Sequence, residues 1–414
     1  MTTSRSRSSE ARTVHVIGGG LAGLTAAALV ARAGHRVVVH EQRHRLGGRA
    51  RTDERGGYRF NRGPHALYLG GEGLPILQAL GVDLAGAMPS TTGARMVVDG
   101  RSHLMPTGAT TLAVTRAAGV RDKVDLGRVL AGIGSIEPAS MADTSVSDWV
   151  DMVTDRPRAA AVLCALVRLS TYVNDSDTLS AEVGLLQLQR SLRAGVRYLD
   201  GGWESLVVQL AALVERAGGR IERRVAVDEL PDAAAVIVAV GSPEVTARLV
   251  GRAFDVGAPS QASVLDLALS APPRHRFVIG VDEALYLSDH GFVGQMSPPG
   301  GASVSLGRYL APDDRPTVDS ARATLRAFAR QAGITDDTVV DERYLHRMTT
   351  VSAIATAHQG GLAGRPPVQV EDRPGVFIAG DWVGPRGHLA DAVLASAEEA
   401  ARRAVAHIER SVAA

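Results

Sequence analysis

The sequence predicts an α/β fold: a parallel, doubly wound sheet interrupted by an inserted α+β unit. Three observations predict it. A short apolar run from Val14 to Ile17 passes directly into Gly18-x-Gly20-x-x-Gly23 and then into an Ala- and Leu-rich stretch from Leu21 to Ala33. Two more apolar runs, from Ala234 to Val240 and from Val376 to Ala379, recur far downstream. Continuous apolar runs of this length fit strands buried on both faces, as in parallel sheets. Between these runs the texture changes, with helical periodicity in 74–199 and alternating strand-like runs in 245–364.

Taken in order, residues 1–12 are Ser/Arg-rich and are expected to be disordered. They hold no apolar run of the kind a secretory signal needs. The strand–turn–helix that follows has glycines where a Rossmann-like dinucleotide site needs them. Gly18 permits the tight turn, Gly20 lets a diphosphate approach the backbone, and Gly23 lets the helix pack close to the strand. The helix opens at Leu21 and Ala22, whose amides and dipole suit an anion, and it stops at Gly34. A second strand from Arg36 ends in Glu41, 18 residues after Gly23. A carboxylate there suits a free ribose 2′-hydroxyl and repels a 2′-phosphate, so NADP is disfavoured and NAD or FAD remains. Gln42 and Arg43, next along, are counted with the cofactor-binding residues.

Arg43 and Leu46-Gly47-Gly48-Arg49 resemble the second glycine motif of the flavin amine oxidase superfamily, which includes amine oxidases, protoporphyrinogen oxidases and phytoene desaturases. The resemblance implies FAD and a Rossmann-like domain of the GR2 type. Adjacent glycines expose backbone amides, and Arg49 adds a cation expected near the diphosphate. Phe60-Asn61-Arg62-Gly63-Pro64-His65 resembles the family's loop beside the flavin ring, with Asn61 in the usual acidic position. Thr144 to Val150 has Ser and Asp where a helix N-cap and first turn want them. It also resembles a helix start of protoporphyrinogen oxidases. Residues 198–230 resemble a block in which Val227 would bond adenine through its backbone. Gly380-Asp381 and the helix from Leu389 resemble the C-terminal flavin motif. There Asp381 would bond the ribityl or diphosphate region, and Ala392 and Val393 would face the flavin N1–C2=O edge. A helix start there favours an anionic reduced flavin. Asp391 and Ser396 replace the usual glycines of that stretch.

The domain reading is therefore 13–73, 200–244 and 365–414 for FAD, with 74–199 (mainly helical) and 245–364 (an antiparallel sheet) for substrate. A length of 414 residues suits two domains. With 45% apolar and 21% charged residues the chain reads as soluble and globular, and a net charge of +1 gives no reason to expect nucleic acid. The single cysteine, Cys164, excludes an internal disulfide, and no metal site is expected. No window is long and apolar enough to span a membrane, so cytoplasm is the natural compartment, with peripheral membrane contact left open.

For the reaction, the resemblance implies a small-molecule substrate and hydride removal from a C–H bond, with O₂ or another acceptor reoxidising the flavin. Two departures count against a typical amine oxidase. His388 stands where its C-terminal cage aromatic falls, and Lys123 is the only lysine, so none is available in 245–364. Low aromatic content, 4%, suits an aliphatic or polycyclic pocket better than a cation cage. The expectation is a desaturase-like or protoporphyrinogen-oxidase-like oxidoreductase. The alternatives are an amine oxidase, a non-redox FAD-dependent isomerase, and a non-enzymatic binding protein of the Rab-escort type. His388 and His65 are the candidate catalytic groups, as imidazoles able to move a proton near neutral pH.

Overall fold

The computed structural model describes residues 13–413, so the expectation for 1–12 lies outside the described residues. Its first sheet holds five parallel strands: β1 (Thr13–Ile17), β2 (Arg36–Glu41), β10 (Arg220–Arg223), β11 (Ala235–Val238) and β17 (Val376–Ile378). They run in the order β10-β2-β1-β11-β17. The chain thus leaves β1 for β2 on one side and returns as β11 and β17 on the other. That reversal opens a crevice at the carboxyl ends of the strands. Gly18, Glu41, Ala239 and Gly380 all stand at those ends.

β1 and β11 are almost wholly buried, which is why their sequences are continuous apolar runs. The Leu21–Arg32 helix packs between the Glu204–Arg216 and Ala390–Ala413 helices. Its five alanines and Gly23 let these backbones approach closely, and Gly34, at φ +85°, ends it.

The second sheet has seven strands: β7 (Arg95–Val98), β8 (Arg101–Leu104), β12 (Ser260–Leu269), β13 (Phe277–Gly280), β14 (Leu285–Asp289), β15 (Ala302–Tyr309) and β16 (Val339–Val351). Their order is β16-β12-β15-β14-β13-β7-β8, antiparallel except where β7 joins β13. β7 and β8 come from the region expected to be mainly helical. The signal was present: Asp99 and Gly100 both take positive φ, the turn that an Asp-Gly pair makes in a two-residue hairpin.

The helix start expected at Thr144 to Val150 opens two helices in succession, Val146–Val153 and Pro157–Thr171. Pro157 cannot continue a helix but starts one well. Ser145 caps the first helix, its hydroxyl accepting from the Asp148 amide at 3.0 Å. The Val318–Gln331 helix, which had no sequence expectation, closes a separate apolar core over β12, β14 and β15 through Leu325, Phe328 and Ala329.

A hairpin of β3 (Thr52–Arg55) and β4 (Tyr58–Asn61) joins the two sheets. Arg343 of β16 makes the joint, pairing with Asp266 at 2.6 Å and Asp53 at 2.8 Å while donating to the Phe60 carbonyl. Its guanidinium is nearly buried, so it is held by several charged hydrogen bonds at once. Three short strands, β5 (Leu67–Tyr68), β6 (Gly86–Ala87) and β9 (Val196–Leu199), form a small antiparallel sheet with β9 in the middle. Among the described residues no helix is long and apolar enough to cross a membrane.

Candidate functional site

The crevice is lined by glycines that divide into two kinds. Three are closed by the protein. A Cβ on Gly18 would stand 2.6 Å from the Ala239 carbonyl oxygen, and one on Gly23 only 1.8 Å from the Gly18 carbonyl oxygen. A Cβ on Gly47 would meet Val207 at 2.9 Å. Two are open. Nothing lies within 4 Å of a Cβ built on Gly20, and on Gly48 it would meet only the Gly20 Cα at 3.7 Å. Gly47 donates to the Gly19 carbonyl at 2.8 Å, so the two loops are laced together around that space.

The Leu21–Arg32 helix begins here with no side-chain cap and no acid in its first turn. The amides of Leu21, Ala22 and Gly23 precede the first intrahelical bond, from Leu24 to the Gly20 carbonyl. Uncapped amides, a helix dipole and two open glycines fit a diphosphate.

Glu41 is buried, and its carboxylate is held by two amides, Gly19 on Oε2 and Arg43 on Oε1, each at 2.8 Å. Each oxygen keeps a further lone pair for a ribose hydroxyl. Gln42 and the Arg43 side chain are exposed. Val227 packs part-buried at the edge of the same core, on a strip begun by Arg224 and Val225, whose amides donate to the Arg43 and Glu41 carbonyls. Because Glu41 serves both loop and ligand, Glu41→Gln is expected to weaken FAD binding by about 1–3 kcal/mol while slightly lowering thermal stability. Fluorescence titration of the apoprotein with FAD checks it, and unaltered affinity would place the ribose elsewhere.

Arg49 departs from its expected part as a cation near the diphosphate. Its guanidinium forks onto Asp381, at 2.8 and 3.0 Å, and adds the Ser352 hydroxyl at 3.1 Å. Asp381 is also bonded by the Ser352 amide at 2.9 Å. Burial would push the Asp381 carboxyl up, but Arg49 and Ser352 outweigh it and hold it below the usual carboxylate range. The pair ties the second glycine loop to the end of β17 and to β16.

The loop bearing Gly63, Pro64 and His65 lies against β16, where a Cβ on Gly63, at φ +86°, would collide with Met348. The His65 Nδ1 is 2.9 Å from the Gly63 carbonyl, and its ring tilts against Trp203 with centroids 4.9 Å apart. Burial lowers its pKa to about 4, so it is neutral. Asn61, in place of the usual acid, accepts from Thr52 at 2.7 Å and from the Trp203 amide at 3.0 Å. It shapes this loop.

His388 differs from expectation. It is fully buried; its Nε2 lies 2.8 Å from the Thr171 carbonyl and its Nδ1 faces Arg365 Nη2 at 3.4 Å. An Nε2–H tautomer satisfies both contacts, which leaves no nitrogen for a substrate. Burial, then Arg365, lowers its pKa to about 4. The Ala392 and Val393 amides likewise turn back onto the His388 and Leu389 carbonyls, so these two offer that edge the helix dipole and no free N–H.

The two replaced glycines have structural work. Asp391 accepts from the Gly73 amide at 2.8 Å and pairs with Arg190 at 3.1 Å, and Ser396 bonds the Gly380 backbone.

A histidine held neutral in the fold stabilises it fully above its unfolded pKa of about 6.5, and that contribution is lost as pH falls toward its folded value near 4. His388→Asn is therefore expected to flatten the acid limb of the stability curve between pH 6.5 and 4 by up to about 1.4 kcal/mol per unit. Urea unfolding at pH 6.5, 5.5 and 4.5 measures it. Parallel limbs for parent and variant would refute the buried neutral state.

Sequence reasoning missed a cluster of five tyrosines: Tyr68, Tyr172, Tyr198, Tyr286 and Tyr309. Tyr172 and Tyr309 are tilted with centroids 6.0 Å apart, and the Tyr198 hydroxyl reaches Ser288 at 2.9 Å and Tyr286 at 3.4 Å. Burial raises the pKa of each, so all five are neutral phenols. The Tyr309 hydroxyl is buried with no partner, and Tyr172 takes φ +57°. Their sources lie far apart in the chain, so no local motif announces them. Among the described residues, no group of His, Cys, Asp and Glu could hold a metal ion.

Comparison with known proteins agrees with this geometry. A 63-residue stretch is 46% identical to an L-amino-acid oxidase of Bungarus fasciatus, and 56 residues are 52% identical to a limonene dehydrogenase component of Castellaniella defragrans. These stretches take in 15% and 14% of this chain, and the chain covers only 12% and 10% of those relatives' own length. An oxidoreductase from Methanosarcina mazei shares the fold, with a TM-score of 0.71 at 16% identity over 94% of this chain and 99% of that one. Residues 21–253, more than half the chain, match the profile of the family described as flavin containing amine oxidoreductase. The chain belongs to that family, and its cofactor is FAD.

Proposed function

We propose that the protein oxidises a C–H bond of a small apolar or polycyclic molecule, in the manner of a desaturase or protoporphyrinogen oxidase. The observation that carries this reading is the cluster of five neutral tyrosines, four of them buried and Tyr172 half-buried. Flat aromatic faces suit a ring system or polyene, since offset and edge-on contacts add to the apolar area they bury. Bound FAD supplies a two-electron acceptor for the substrate C–H bond. Gly20, Gly48 and the amides of Leu21, Ala22 and Gly23 would hold its diphosphate, and Glu41 its ribose. Arg49 and Asp381 would lock the two loops that close over it, and Val227 would stand beside the adenine. Gly63, Pro64 and His65 would border the ring, with the Ala392–Val393 helix turn at its other edge.

His65 is left as the candidate proton-moving group, because His388 is committed to Thr171 and Arg365. Lys123, the only lysine, is exposed and donates to the Ala113 carbonyl, so no lysine stands at this site. One observation favours a second reading, oxidation of an amine: a tilted Tyr172–Tyr309 pair can also hold a cation over its faces. Mixing the yellow holoprotein anaerobically with amines, polyenes and porphyrinogens separates the two. Flavin bleaching by polyenes or porphyrinogens is expected, and bleaching by amines alone would replace the first reading with the second. A colourless protein that takes up no FAD would defeat both.

A further inference from the structure

Arg365 is a buried cation that makes no ion pair among the described residues. Its side chain belongs to a residue only 8% exposed, its Nη1 donates to the Gly387 carbonyl at 2.9 Å, and its Nη2 faces His388 at 3.4 Å. Its Nε is buried with no partner. Two carboxylates act on it electrostatically, Asp381 and Glu182, and both are committed elsewhere. Asp381 is forked by Arg49 and bonded by Ser352. Glu182 accepts from the Leu362 amide at 2.8 Å. Burial brings the Arg365 pKa down to about 10, which still leaves it charged at neutral pH. An unpaired buried charge is costly, so a position that retains one is suited to an anion that arrives later.

We propose that Arg365 is the counter-charge for the reduced flavin. This rests on the reading of the site as an FAD oxidoreductase with the ring edge at the start of the Ala390–Ala413 helix. Removing two electrons and one proton from a substrate C–H bond to the flavin, with the second proton released to solvent, leaves the flavin one charge more negative. The added charge resides on the N1–C2=O edge. Arg365 is bonded to Gly387 and His388, the turn that leads into that helix. With the Ala392 and Val393 amides turned back into the helix, a buried full positive charge is the strongest electrostatic device left at that edge.

The test uses FAD-loaded parent, Arg365→Met and Arg365→Lys proteins, with sulfite as probe. Sulfite adds to the flavin and leaves a negative charge on the same edge, so its affinity, read from bleaching of the visible band, reports the counter-charge without turnover. Arg365→Met is expected to bind sulfite about tenfold more weakly or worse, as for the loss of about 1.4 kcal/mol, and to show a lower midpoint potential by dye equilibration. Arg365→Lys, which keeps the charge but not the fork, is expected to stay near the parent in both. Parent-like sulfite affinity and potential in Arg365→Met would overturn the proposal. So would a Lys variant as impaired as the Met variant, because that pattern belongs to an arginine that only holds the Gly387 carbonyl. A parent protein that binds no FAD would instead defeat the reading of the site.

Discussion

Asp381→Ala is expected to cost about 1.5–3 kcal/mol of stability and to leave a protein unable to retain FAD. The magnitude is that of losing the charged hydrogen bonds of a half-buried pair, since Asp381 is buried while the Arg49 side chain is 38% exposed and regains water. Arg49 would then face the Thr350 carbonyl and the Ser352 hydroxyl with no carboxylate in reach. The double variant Arg49→Met/Asp381→Leu separates the two effects. Replacing both charges by apolar groups of similar size is often neutral for stability, so the fold should recover to near the parent while FAD retention does not. Thermal unfolding of the apoproteins, with bound FAD counted by absorbance, gives both readings. Recovery of FAD binding together with stability would mean the pair acts only as a strut. Arg49→Lys, which keeps the charge and loses the fork, is expected to fall between the two.

The pairing itself was not legible in the sequence, because Arg49 and Asp381 stand 332 residues apart. What was legible was local. The strand, the glycine turn, the helix and the acid at Glu41 follow one another within a few turns of chain, and their spacing has a physical reason at each step. The Asp-Gly turn of β7–β8 was equally local and could have been read. The tyrosine cluster could not, because Tyr172 follows a helix, Tyr309 ends a strand and Tyr198 lies on a third element, and only the tertiary fold brings them together. His388 shows the limit of analogy. Its position next to a helix start suggested an open pocket group, yet Thr171 and Arg365, both distant in sequence, close around it. Arg365 was invisible for the complementary reason: nothing in a chain rich in arginine marks a buried one that makes no ion pair.

Alanine at Gly23 and at Gly20 is expected to give opposite phenotypes, although both belong to one motif. At Gly23 the new methyl would stand 1.8 Å from the Gly18 carbonyl oxygen and 3.2 Å from Val16. The first contact is with backbone, so relief requires the helix to move off β1, and overpacking of this kind costs about 1–3 kcal/mol or more. Gly23→Ala should therefore unfold at lower urea concentration even without cofactor. Gly20 has an extended backbone, φ −81° and ψ −175°, which any residue adopts, and its methyl would meet no protein atom within 4 Å. Gly20→Ala should fold like the parent, yet its methyl would occupy the space left for the diphosphate. A steric cost of about 1–3 kcal/mol at that point corresponds to roughly 5- to 150-fold weaker FAD binding. Urea unfolding of the apoproteins and FAD titration of each distinguish the two. Parent-like affinity in Gly20→Ala would show that the diphosphate does not approach the backbone there, and a stable Gly23→Ala would show that the helix can yield where the geometry says it is fixed.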